Sequence, residues 1–138
     1  MGPNDAQIIR VFSRGLKGPI ADLTLNPNSE GEVVLEAEAG ETLHDGGGDY
    51  LVTLVVRDLS DGTAIPAQVP NAPKPGEVKG RFRDPNWVDL PASFGFVMSS
   101  ADLKNHRGHL VQAYGSVVYG NTKPGSTFAV SQTFQILP

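Results

Sequence analysis

The 138-residue sequence contains no cysteine. Disulfides, thiolate nucleophiles, Fe–S clusters and cysteine-ligated zinc are therefore excluded, while the redox compartment stays open. Charged residues make up only 19% of the chain, and tryptophan occurs once. No apolar run approaches the roughly 18 residues of a membrane-spanning helix, so membrane insertion is not expected. Met1-Gly2-Pro3-Asn4-Asp5 lacks the basic and apolar regions of a signal peptide, which predicts a soluble chain and leaves its localisation open. No Asn-x-Ser/Thr acceptor occurs, so glycosylation has no positive signal. Gly-x-Gly-x-x-Gly, the P-loop and the Gly-x-Ser-x-Gly elbow are all missing, which leaves nucleotide binding and α/β-hydrolase chemistry without support.

What is plentiful is punctuation. Glycine occurs 16 times and proline 11 times, about a fifth of the chain, against roughly 12% in average usage. Apolar residues account for 39%, too many for a disordered chain. The length fits one domain with a real core. Short strands joined by turns suit this composition, and a helical bundle does not.

The net charge of −4 conceals a split. Residues 1–65 carry 11 acids and 4 bases, net −7; residues 66–138 carry 4 acids and 7 bases, net +3. The acidic part centres on Glu30, Glu32, Glu36, Glu38, Glu41, Asp45 and Asp49, and the basic part includes Lys79, Arg81 and Arg83. Solvated faces of different strands explain such a split in the simplest way. A sharper expectation is an acidic face and a basic face that meet head to tail in an assembly. Three alternating bases fall short of a nucleic-acid platform, so no nucleic-acid partner is expected.

Period-two alternation predicts strands over Ile8–Ser13, Ile20–Leu25, Glu32–Ala39, Tyr50–Arg57, Val78–Arg83, Phe94–Ser99, Leu110–Tyr119 and Thr127–Leu137. Tyr50–Arg57 is apolar on both faces and reads as a central strand, with Leu51 and Val55 on its second face. His44-Asp45-Gly46-Gly47-Gly48-Asp49 reads as a turn making a hairpin of Glu32–Ala39 and Tyr50–Arg57. Ser60-Asp61-Gly62-Thr63 and Gly120–Gly125 supply further turns. Residues 64–77 hold Pro66, Pro70, Pro73 and Pro75 and read as an ordered crossover or edge loop. In the last strand Phe128, Val130, Phe134 and Ile136 are expected to share one face. Only Ser100–Asn105 looks helical, with Ser100 as cap and Gly108 as stop. The expectation is a single all-β domain over residues 1–138, an antiparallel β-sandwich of seven to eight strands. A small β-barrel or jelly roll is the alternative.

The C-terminal third carries a family pattern. A helical turn and a glycine (Asp102 to Gly108) lead into His109-x-Val111-x-Ala113, then Gly120-Asn121 and a closing alternating strand. This resembles the last two strands of immunoglobulin-like and fibronectin-III-like domains over residues 100–137. The resemblance implies an immunoglobulin-like sandwich used for adhesion, spacing and recognition, although a fold alone does not assign a function. The family often places a tyrosine where His109 stands. Such a histidine would hydrogen-bond backbone and hold the connection.

Candidate chemistry is sparse. His106 and His109 lie three apart and His44 sits in the glycine loop, but a zinc site needs three or four ligands and this pair has no cysteine partner. Asp45-Gly46-Gly47-Gly48-Asp49 lacks the ligand spacing of a calcium loop. Glu36 and Glu38 share a strand face, which invites comparison with paired glycosidase carboxylates; a solvated sheet face is the preferred reading. No catalytic residue, cofactor or metal ligand is assigned. The candidate interaction residues are Trp87, Lys79, Arg81, Arg83, Glu36 and Glu38. Trp87 reads either as an exposed anchor near Phe94 and Phe96 or as a plug at one end of the sandwich. The favoured function is a non-enzymatic module for protein–protein contact, with a protein partner or a second copy of itself. A carbohydrate-binding module with a glycan stacked on Trp87 is the alternative, and a small barrel or jelly-roll enzyme or ligand carrier the third.

Overall fold

Alternation decides which side of each strand is buried. In β4 (Asp49–Asp58), Tyr50, Val52, Leu54, Val56 and Asp58 face inward, whereas Asp49, Val55 and Arg57 face solvent. In β3 (Gly31–Ala39), Val33, Leu35, Ala37 and Ala39 enter the core, while Glu36 and Glu38 lie on the opposite face. A computed structural model describes residues 1–120 and 124–138. The expected turn at 120–125 falls partly outside these.

Two sheets pack as a sandwich and, among the described residues, do not close into a barrel. The smaller sheet runs β1 (Ala6–Gly15), β3, β7 (Pro91–Met98), all antiparallel. The larger is built on β4 and β8 (Leu110–Tyr119), paired antiparallel from Tyr50–Tyr119 to Asp58–Val111. Beside β4 lie β5 (Ala64–Ile65) and β6 (Glu77–Arg81). Beside β8 lie β9 (Gly125–Val130) and β10 (Phe134–Ile136), and β2 (Thr24–Leu25) joins β10 in parallel. The helices are single turns: α1 (Glu41–Asp45) and α2 (Ser100–Lys104). The sandwich is as expected, but the ten strands among the described residues exceed seven or eight because two- and three-residue segments also pair.

Three local expectations are corrected. First, β3 and β4 are not a hairpin: they belong to different sheets, and α1 carries the chain between them. A Cβ on Gly40, just before α1, would collide with the Gly2 and Pro3 carbonyls, so the helix starts where only glycine fits. Burial of His44 then docks α1 on the core through its Nε2, 2.9 Å from the Trp87 carbonyl. Second, the last strand is broken at Ser131–Thr133. The Ser131 hydroxyl accepts from the Ala113 amide and donates to the Gln132 carbonyl, replacing regular ladder bonds. Phe134 and Ile136 consequently point into the core, and Phe128 and Val130 point out. Third, α2 is capped by Ser99, whose hydroxyl accepts from the Asp102 amide, and not by Ser100, which bonds the Pro27 carbonyl.

The edges of the smaller sheet are managed. In β1 the register shifts between Ile8 and Arg10, so Ile9 is the extra residue of a bulge that keeps Ile8 and Val11 both inward. The proline-rich connection lies along β7, where Gln68 and Val97 exchange both backbone bonds at 2.9 and 3.0 Å. This gives β7 a short partner in place of a bare edge.

Trp87 is fully buried. Its ring meets Phe82, Tyr50 and Phe94 at centroid distances of 4.9, 5.0 and 5.7 Å, and its Nε1 donates to the Leu90 carbonyl at 2.9 Å. Of the two roles expected for Trp87, the structure holds the plug.

Candidate functional site

The β4–β5 turn and the link from α2 to β8 meet at one end of the sandwich. Asp58 ends β4, and its Oδ1 accepts from the Ser60 and Asp61 amides at 2.7 and 3.1 Å. Gly62 supplies the positive φ of 78° that closes this turn, and the Asp58 amide donates to the Thr63 carbonyl. Across from it, the amide of His106 donates to the Leu103 carbonyl and that of His109 to the His106 carbonyl. These tight turns aim both rings at one point. The Nδ1 atoms of His106 and His109 lie 2.6 and 2.5 Å from the same Asp58 Oδ2. Asp61 Oδ2 stands 3.8 Å from each of them.

The chemistry of the cluster follows from Asp58. Burial by itself raises its pKa, but the His106 and His109 bonds and the Ser60 and Asp61 amides outweigh that and hold it at about 2. It is therefore a carboxylate at neutral pH and can only accept, so each imidazole must carry its proton on Nδ1. Neighbouring Asp61 is also held below the usual carboxylate range, mainly by the Thr63 hydroxyl and amide. The sign of the pH dependence is set by Asp58. A carboxyl with a lowered folded pKa stabilises the fold above its unfolded value of 3.8 and loses that contribution as pH falls toward 2. Urea midpoints of the wild type should therefore fall more steeply between pH 4 and 2 than those of Asp58→Asn, in which the group no longer titrates. Parallel pH curves for the two proteins would contradict this.

Sequence reasoning weighed His106 and His109 as a pair and did not connect them to Asp58 and Asp61. The sequence separation is 48 residues for the nearest contact, Asp58 to His106. The only available signal was that both segments are turns bounding predicted strands, and strand pairing was not yet known. His44 lies elsewhere, against Trp87 and Phe82.

The six candidate interaction residues do not converge. Trp87 is in the core and offers no ring for stacking on a glycan. Glu36 and Glu38 lie on the outer face of the smaller sheet, where they line an open surface hollow beside Ile9 and Pro91; Glu36 is ion-paired with Arg10, which also covers the Phe12 ring at 4.1 Å. Lys79 and Arg81 lie on β6 beside Leu51 and Asp49, on the outer face of the larger sheet. Arg83 sits in the following turn at φ 78°. Glu36 and Glu38 thus lie on the opposite face of the sandwich from Lys79 and Arg81, although Arg81 is itself 3.6 Å from Asp49.

The larger sheet has a second feature. Its register aligns Val55, Tyr114 and Val130 in one row and Leu51, Val118 and Ser126 in another, with Phe128 between them opposite Ser116. Phe128 is 73% exposed, and Val55, Val118 and Val130 are each a little under half exposed. Most outward positions of β4, β8 and β9 are therefore apolar.

No protein-family model matches the chain, and no curated protein matches it. Solved structures do. AggA, the major subunit of aggregative adherence fimbriae type I of Escherichia coli, aligns with a TM-score of 0.52 at 8% identity, over 97% of this chain and 95% of that one. BcpA, the major pilin subunit of Bacillus cereus, aligns with a TM-score of 0.50 at 14% identity over 97% of this chain. The chain spans 40% of the length of that pilin. At these identities the likeness is one of fold.

Proposed function

We propose that the chain is a non-enzymatic β-sandwich module that works through protein–protein contact, in an assembly or adhesion role, with further copies of itself as partners. The observation that carries this reading is the exposed apolar row on the outer face of the larger sheet. A sheet face lined by Phe128, Val130, Val118 and Val55 gains by leaving water, and contiguous patches of this kind mark contact surfaces. Lys79 and Arg81 border that face, while Glu36 and Glu38 lie on the opposite one. Contact between unlike faces is heterologous, and a repeated heterologous contact builds a ring where its rotation closes and an open chain of subunits where it does not. Two sandwiches of like fold are described as fimbrial and pilin subunits, which supports the same reading. The immunoglobulin-like assignment of residues 100–137 belongs to the proposal as well, since α2 feeds β8 and β8 runs antiparallel to β9.

Light scattering over a range of protein concentrations, with EDTA present, tests it. The wild-type mass should rise above the 14.6 kDa of one chain. Phe128→Asp, and separately Lys79→Glu with Arg81→Glu, should return it to one chain while leaving the far-UV spectrum unchanged. A wild type that stays at one chain throughout, or variants that associate as well as the wild type does, would overturn the reading.

A further inference from the structure

We infer that Asp58, Asp61, His106 and His109 form a binding site for one divalent cation of the zinc class. Four potential ligands come from two turns that are distant in sequence, and their ligand atoms all lie within 4.8 Å of one another. Two imidazole nitrogens and two carboxylate oxygens are the donor set of borderline ions such as Zn²⁺. Ca²⁺ and Mg²⁺ prefer all-oxygen shells.

The geometry separates this site from a simple hydrogen-bond cluster. Asp58 with its two histidines would be complete as a cluster, because each Nδ1–H already has an acceptor. Asp61 has no part in that cluster: its Oδ1 accepts from the Thr63 amide and hydroxyl, and its Oδ2 is 3.8 Å from each imidazole, beyond hydrogen-bond reach. As the fourth corner of a tetrahedron, however, Asp61 Oδ2 is well placed. Zinc bonds of 2.0–2.1 Å place tetrahedral ligands about 3.3 Å apart. The Asp61 distances must shorten by about half an ångström to meet that, and the His–Asp58 distances must lengthen by somewhat more.

Binding exchanges two N–H···O bonds for three coordinate bonds around the buried end of the site, with Asp61 supplying the fourth. Each imidazole releases its Nδ1 proton to solvent and takes one up from solvent on Nε2, so the coordinating ring stays uncharged. The Ser60 and Asp61 amides continue to hold Asp58 Oδ1 and orient the ligating carboxylate, as outer-shell donors do in metal sites. The ion enters from the side of His109 and Asp61, whose side chains are 34% and 39% exposed, while Asp58 closes the inner side. Four protein ligands leave no open coordination position, which makes the site structural and not catalytic. Its effect is to staple the β4–β5 turn to the α2–β8 connection.

The test uses the whole chain, stripped of metal with EDTA and then dialysed. Titration calorimetry with Zn²⁺ should give one ion per chain, thermal unfolding should shift upward on addition of Zn²⁺, and Co²⁺ should give the intense visible absorption of a tetrahedral centre. Asp61→Asn should move the melting temperature of the metal-free protein by no more than about 2 °C and weaken Zn²⁺ at least about tenfold. His109→Gln should abolish saturable binding, with the fold checked by circular dichroism. Absence of saturable Zn²⁺ and Co²⁺ binding, undiminished binding in both variants, or equal competition by Ca²⁺ would each overturn the inference and leave a hydrogen-bond cluster only.

Discussion

Trp87→Ala is expected to lower the unfolding free energy by about 4 kcal/mol, within the roughly 3–5 kcal/mol typical of aromatic truncation in a core. The ring is wholly buried and touches aromatic side chains from β4, β7 and the turn after β6. It therefore joins both sheets, and its removal leaves a cavity that neither sheet can collapse alone. Trp87→Phe isolates the polar part. It keeps most of the apolar volume and removes the indole donor from the Leu90 carbonyl, which still accepts from the Ala39 amide, so the loss should be about 1 kcal/mol. Urea unfolding followed by circular dichroism checks both, since the chain's single tryptophan is what is being changed. A loss below about 1 kcal/mol for Trp87→Ala would contradict the central placement of the ring.

The second large effect is expected at Asp58. In metal-free protein with EDTA present, Asp58→Ala should cost about 3 kcal/mol, because it strips the acceptor from four donors at once. The Nδ1–H groups of His106 and His109 and the Ser60 and Asp61 amides lose their partner together. Asp58→Asn should cost roughly half as much. Its carbonyl still accepts from the two amides, and its NH₂ group can donate to both imidazoles once they switch tautomer. Asp61→Asn, outside this cluster, should stay within about 0.5 kcal/mol of the wild type. Equal losses at Asp58 and Asp61 would remove the distinction between the two carboxylates.

Strand existence was readable wherever alternation was long, as in Glu32–Ala39, Tyr50–Arg57 and Leu110–Tyr119. Partner choice was not. The supposed hairpin of the first two failed because an alternating strand states which face it buries and nothing about which sheet receives it. The break at Ser131 escaped notice for a related reason: a hydroxyl that bonds backbone looks like an ordinary polar position until its partner, Ala113, is known. Trp87 was ambiguous because Asp84-Pro85-Asn86 is turn chemistry, and turn chemistry is silent on whether the next side chain points in or out. Leu51 and Val55 did stand out in the sequence as apolar on the wrong side of a strand. Phe128 and Val130 join them only after the register of β8 and β9 is set.

The absence of cysteine, the excess of glycine and proline and the period-two runs were sufficient for an all-β sandwich without thiol chemistry, because turn preference and face burial are local properties of the chain. The split of charge between the two halves was equally readable, and its meaning was not. Only the tertiary structure placed Glu36 and Glu38 on one face and Lys79 and Arg81 on the other, and paired Glu36 with Arg10 and Asp49 with Arg81. Only it brought two histidines to a carboxylate 48 and 51 residues away. Such juxtapositions depend on sheet order and register, which are set by the burial of the whole core together and by no segment alone.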